Sequence, residues 1–139
     1  MNYYLIAGEA SGDLHASNLM KEIKKLDKNA NFRFWGGELM QKVGGELVKH
    51  YKELDFMGFI EVVKNLKTIL KNLKDCKNDI LNYKPDAVVL VDYPGFNLRI
   101  AEFLHQHSFK TYYYISPQVW ASKKNRVHKI CKYSDRVFT

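Results

Sequence analysis

Apolar residues along this chain switch between two rhythms. Short apolar runs at Tyr3–Ala7, Phe32–Trp35, Leu47–Tyr51, Ala87–Val91, Thr111–Ile115 and Arg136–Thr139 read as strands. Between them apolar positions recur at helical spacing, as at Leu19, Met20, Ile23 and Leu26. The predicted helices are Asp13–Leu26, Glu38–Val43, Gly58–Asn82, Asn97–His107 and Ser122–Cys131. Alternation of strands with helices predicts an α/β fold, a parallel sheet with helices on both faces. Ala87-Val88-Val89-Leu90-Val91 is apolar throughout, as a strand buried on both sides should be. The chain stops on Val137-Phe138-Thr139, inside an expected strand, so a fragment of a longer protein is expected.

Composition narrows the class. At 139 residues, 46% hydrophobic and 14% aromatic, the chain can build one domain with a real core and does not read as disordered. Lys and Arg number 22 against 15 Asp and Glu, a formal charge of +7. That excess suits nucleic acid, an anionic membrane surface or a phosphorylated ligand, and charge does not choose among them. Cys76 and Cys131 lie far apart without metal spacing, which predicts free thiols in a reducing compartment. The N-terminus enters a strand with no basic leader region, and no apolar run reaches the length of a membrane span. The expectation is a cytosolic protein, with contact to a membrane surface left open.

Three polar clusters follow predicted strands, where open parallel sheets bind ligands. The first is Gly8-Glu9-Ala10-Ser11-Gly12-Asp13, with His15 one turn on. Its glycines allow a sharp turn and close approach of another molecule. Ser11 suits a helix N-cap, and Asp13 suits the positive end of the helix dipole. A structural turn needs only a glycine and a cap, so Glu9, Ser11, Asp13 and His15 are in excess. The second cluster is Asp92-Tyr93-Pro94-Gly95-Phe96-Asn97, in which Pro94 fixes φ and Gly95 is expected to supply a positive φ. Asp92 reads either as a carboxylate bonding turn amides or as a general base at a cleft mouth. Asn97 is expected to cap the next helix. The third is Ser116-Pro117-Gln118-Val119-Trp120-Ala121, where Trp120 suits sugar stacking or domain packing.

Two further stretches are amphipathic or basic. Ile60, Val63, Leu66, Ile69, Leu70 and Leu73 form an apolar stripe flanked by Lys64, Lys67, Lys71, Lys74 and Lys77. A helix covering the sheet and a helix lying in an anionic bilayer interface both fit this pattern. Lys123–Lys129, including Arg126, suits a solvated face or a phosphate-bearing ligand. It lacks the interleaved aromatics of a nucleic-acid site.

With these clusters in hand, the chain resembles the N-terminal part of the lipid-A-disaccharide synthases. Gly8-Glu9-Ala10-Ser11-Gly12-Asp13-Leu14-His15, Met57-Gly58-Phe59-Ile60-Glu61-Val62, Asp92-Tyr93-Pro94-Gly95-Phe96-Asn97-Leu98-Arg99 and Ser116-Pro117-Gln118-Val119-Trp120-Ala121 with Arg126-Val127 match that family's motifs in order. Ser122 departs from the family, which commonly places a second tryptophan there.

The resemblance implies a Rossmann-like sheet forming the N-terminal, acceptor-side half of a B-type glycosyltransferase. The whole of 1–139 is then one domain, and the C-terminal UDP-sugar-binding domain is absent. It implies an inverting transfer of 2,3-diacylglucosamine from its UDP conjugate to 2,3-diacylglucosamine 1-phosphate (lipid X), giving the β-1,6 disaccharide of lipid A biosynthesis and UDP. No metal or cofactor and no nucleic acid is implied, and the placement is peripheral, on the cytoplasmic face of the inner membrane. Asp92 is carried over as the catalytic base. Gly8, Glu9, Ser11, Gly12, Asp13, His15, Asn97, Ser116, Trp120 and Arg126 are carried over as substrate-binding residues. Phe59, Ile60, Val63, Leu66, Ile69 and Leu70 are assigned to membrane contact. The rival readings are another B-type transferase or epimerase acting on a UDP-amino sugar, and a non-catalytic nucleotide-binding or membrane-docking module.

Overall fold

The computed structural model describes residues 1–54, 66–114 and 131–138. Six strands form one sheet: β1 (Asn2–Ala7), β2 (Asn31–Gly36), β3 (Glu46–His50), β4 (Ala87–Val91), β5 (Thr111–Tyr114) and β6 (Arg136–Phe138). The order across it is β3-β2-β1-β4-β5-β6, and every neighbouring pair is parallel. Among the described residues the longer helices are α1 (Ala10–Leu26), α2 (Glu38–Val43), α3 (Leu66–Tyr83) and α4 (Pro94–Gln106), with a 3-10 turn at Tyr51–Leu54. This is the parallel α/β arrangement read from the apolar rhythm, and the Rossmann-like sheet that the resemblance implies. The predicted helix at Ser122–Cys131, apart from the helical Cys131, and the first part of the one at Gly58–Asn82 lie outside the described residues.

Strand alternation divides the core into two layers. Leu5, Ala7, Phe32, Phe34, Val89 and Val91 pack with Ala16 and Met20 of α1 and Met40 of α2. On the opposite face Tyr4, Ile6, Trp35, Val88, Leu90 and Tyr113 pack with Leu73, Cys76 and Ile80 of α3 and with Ile100 and Leu104 of α4. The first face also carries an apolar groove of about 630 Å³, lined in part by Leu19 and Ile23 of α1 and by Tyr112, Tyr114 and Phe138.

A polar chain ties the second layer together. The Trp35 indole donates to the Tyr4 hydroxyl at 2.8 Å, which donates to Asp79 at 2.7 Å. Arg33 grips the same carboxylate through two nitrogens at 2.7 and 2.8 Å, and reaches Glu46 at 2.6 Å. A buried phenol and indole need partners, and this chain supplies them across β1, β2, β3 and α3.

The α3 stripe splits in two. Leu73 is buried and Ile69 packs against the core, whereas Leu66 and Leu70 are 53% and 52% exposed. Lys67, Lys71 and Lys74 are exposed beside them, and Lys77 lies over the Phe103 ring. Phe59, Ile60 and Val63 lie outside the described residues. Among those described, no helix is long and apolar enough to cross a membrane.

Candidate functional site

The strand order decides where the site lies. From β1 the chain runs outward to β2 and β3, then returns to place β4 on the other side of β1. The crevice above the carboxyl ends of β1 and β4 is therefore the switch point of the sheet, where ligands bind in open α/β folds. Ala7 pairs with Val91, so Gly8 and Asp92 leave the sheet side by side. The first two polar clusters meet there. The third, with Ser116 and Trp120, lies outside the described residues, as does Arg126.

Asp92 is 5% exposed and sits at φ 44°, and Tyr93 follows at φ 49° and ψ 56°. Two consecutive left-handed non-glycine residues cost on the order of 1–3 kcal/mol each and persist only where their surroundings impose them. This corrects the expected turn. Pro94 and Gly95 open α4 as ordinary helical residues, and the positive φ values fall on Asp92 and Tyr93 instead. Proline suits the first helical position because its missing N–H would be unbonded there anyway.

Asn97 is not a helix cap. It sits one turn inside α4, fully buried, and its Nδ2 donates to the carbonyls of Asp92 at 2.9 Å, Ile6 at 3.3 Å and Val91 at 3.4 Å. It thus staples the ends of β1 and β4 across the switch point. The Tyr113 hydroxyl donates to the same Asp92 carbonyl at 2.7 Å. No sequence reading singled out Tyr113. Period-two alternation on β5 shows that Tyr113 faces the opposite way from Tyr112 and Tyr114, but only the placement of β5 beside β4 brings its hydroxyl to Asp92.

The glycines of the first cluster serve the chain itself. Neither Gly8 nor Gly12 has a positive φ. A Cβ at Gly8 would run into the Tyr93 ring, and one at Gly12 would lie 3.1 Å from the Ala7 Cβ, so Gly12 brings α1 close onto β1. Ser11 does not cap α1. The helix begins at Ala10, so Ser11 lies within its first turn, and the N-cap is Glu9, whose side chain makes no capping bond. Glu9 and Ser11 are exposed at the rim. His15, half-buried, lies one turn down with its ring 5.3 Å from that of Tyr114.

Asp13 turns away from that helix end. Its carboxylate is 2% exposed and accepts the amides of Gly37 at 2.9 Å and of Leu39 and Met40 at 3.1 Å each. It therefore caps α2, and its oxygens are committed to the fold. Among the described residues no group of three or more His, Cys, Asp or Glu is placed to hold a metal ion.

The chain is similar to known proteins in sequence and in fold. The chain is 42% identical over 133 residues to a lipid-A-disaccharide synthase of Geobacter metallireducens, covering 96% of this chain and 35% of the relative. It is 42% identical over 130 residues to the enzyme of that name from Neisseria meningitidis serogroup B, covering 94% and 34%. The chain thus spans about a third of the length of the curated relatives it matches. Among solved structures, a UDP-GlcNAc 2-epimerase from Neisseria meningitidis bound to UDP-GlcNAc superposes with a TM-score of 0.65 at 8% identity, over 100% of this chain and 40% of that one, which shows a shared fold. The lipid-A-disaccharide synthetase family model matches residues 3–139, and the chain belongs to that family.

Proposed function

We propose that this chain is the acceptor-side part of a glycosyltransferase of lipid A biosynthesis. In the full-length protein 2,3-diacylglucosamine passes from its UDP conjugate to 2,3-diacylglucosamine 1-phosphate. Asp92 is the general base. Its carboxylate takes the proton of the acceptor's 6-hydroxyl, that oxygen bonds to the anomeric carbon, and the bond to UDP breaks on the opposite side. The products are the β-1,6 disaccharide and UDP.

The observation that carries the reading is the position of Asp92. It stands on a strained corner at the carboxyl end of β4, at the switch point, in a motif matching the family's. Glu9 and Ser11 line the same rim at the start of α1, whose unbonded amides suit a phosphate or a sugar hydroxyl. Asp13 and Asn97 support that pocket from behind through backbone hydrogen bonds. The donor's UDP group is held chiefly by the part of the protein beyond these residues, so residues 1–139 alone form no disaccharide.

The protein works on the cytoplasmic face of the inner membrane as a peripheral protein. Leu66 and Leu70, exposed among lysines, support that placement.

The test is Asp92→Asn in the full-length protein, with UDP release measured on the two diacylated sugars. General-base catalysis is worth roughly 10²–10⁴ in rate, so turnover should fall at least that far with substrate binding kept. Near-wild-type turnover would sink the assignment. Turnover with soluble UDP-N-acetylglucosamine in place of the diacylated donor would instead favour a UDP-amino-sugar enzyme of another kind.

A further inference from the structure

Both peptide planes that flank the Asp92 Cα are held by neighbouring elements. On one side the Asp92 amide donates to the Tyr114 carbonyl at 2.9 Å. On the other, the Asp92 carbonyl accepts from the Tyr113 hydroxyl at 2.7 Å and from Asn97 Nδ2 at 2.9 Å, which uses both of its lone pairs. With both planes held, the direction of the Asp92 Cα–Cβ bond is fixed. These contacts favour a conformation that residues other than glycine adopt less often, φ 44° at Asp92 and 49° at Tyr93.

Tyr113 is fully buried in the layer that holds α3 and α4. Phenylalanine would fill the same space, so packing does not account for the hydroxyl. The hydroxyl donates to the Asp92 carbonyl.

We propose that Tyr113 is a positioning residue for the transfer reaction, its hydroxyl locking the left-handed Asp92–Tyr93 corner so that the Asp92 side chain leaves the backbone at the switch point in one direction. The inference rests on the reading of Asp92 as the general base. Tyr113 is fully buried and acts through the backbone of Asp92. Displacement of a reacting group by about 1 Å costs on the order of 10² in rate, so a relaxed corner is costly even with the carboxylate intact.

The experiment is Tyr113→Phe in the full-length protein, with Ile80→Val, in the same buried layer, as a control for packing. For Tyr113→Phe, kcat should fall about tenfold or more with both KM values within about twofold of wild type. The fall should persist when kcat is expressed per folded enzyme, well below the melting transition. Ile80→Val should lower the melting temperature and leave kcat per folded enzyme in place. Wild-type kcat in Tyr113→Phe overturns the proposal. So does a loss of kcat that disappears when it is expressed per folded enzyme, which marks the hydroxyl as structural. Full activity of Asp92→Asn removes the base itself, a failure visible without Tyr113→Phe.

Discussion

Gly8 lies against the ring of Tyr93: a Cβ at position 8 would stand 2.6 Å from the ring's Cε2 and nearer still to two other ring atoms. That ring stacks on Phe96, with centroids 5.6 Å apart, and belongs to the left-handed residue that follows Asp92. The glycine at the end of β1 is therefore the space into which the Asp92–Tyr93 corner after β4 fits.

Gly8→Ala follows from that relationship. The added methyl group must push the Tyr93 ring, which Phe96 backs, so overpacking should cost about 1–3 kcal/mol. Because the displaced residue adjoins Asp92, kcat should fall by more than the loss of stability explains. Denaturant unfolding and steady-state kinetics on the full-length protein test both parts. Unchanged kcat in a destabilised variant would show that the two features are not coupled.

Asp13 should behave as a structural carboxylate. Asp13→Ala leaves the amides of Gly37, Leu39 and Met40 without their acceptor, and each buried unpaired group costs about 1–3 kcal/mol. Asp13→Asn keeps one oxygen acceptor and should cost less. Melting temperature should therefore rank wild type, Asn, Ala in falling order, with KM little changed for the variants that fold. A large rise in KM with native stability would place Asp13 at the substrate instead.

Acid should weaken the Arg33–Asp79 pair. Burial raises the Asp79 carboxyl, but its hydrogen bonds to Arg33 and Tyr4 outweigh that and hold it below its ordinary value of 3.8. With the folded value below the unfolded one, the unfolded chain binds the proton first. The stabilisation is then complete above about pH 4 and is lost as pH falls through the folded value. Asp79→Asn should be less stable than wild type at neutral pH, and the gap should close on acidification below about pH 4. Urea midpoints across that range measure it, and a gap independent of pH would contradict the argument.

Membrane contact can be separated from core packing on α3. Leu66→Ser with Leu70→Ser removes exposed side chains and should weaken binding to anionic vesicles about tenfold or more while the fold survives. Leu73→Ser should unfold the protein, because Leu73 is buried. Vesicle sedimentation with circular dichroism distinguishes these outcomes. Binding that survives loss of both exposed leucines would assign the membrane surface elsewhere.

Much of the scaffold could be read from the chain. Ala87–Val91, apolar at every position, is a strand buried on both faces, and Glu38–Val43 is a helix with the expected bounds. Single positions were harder. Asp13 suited the dipole of its own helix but caps α2, because α2 packs against α1 and its first amides face that carboxylate. Ile69 belonged to an apolar stripe but leans on the core while Leu66 and Leu70 do not, because helical spacing cannot show how far a neighbouring layer reaches.

By itself the sequence determined the α/β class, the two rhythms of its elements and the motifs that mark the family, because periodicity and turn chemistry are local properties. Only the tertiary structure decided that β4 lies beside β1 and β5 beside β4. Strand order is set by burial of whole faces between distant segments, which no local pattern encodes. That pairing places Gly8 under Tyr93 and brings Tyr113 and Asn97 to the carbonyl of Asp92, turning separate motifs into one crevice.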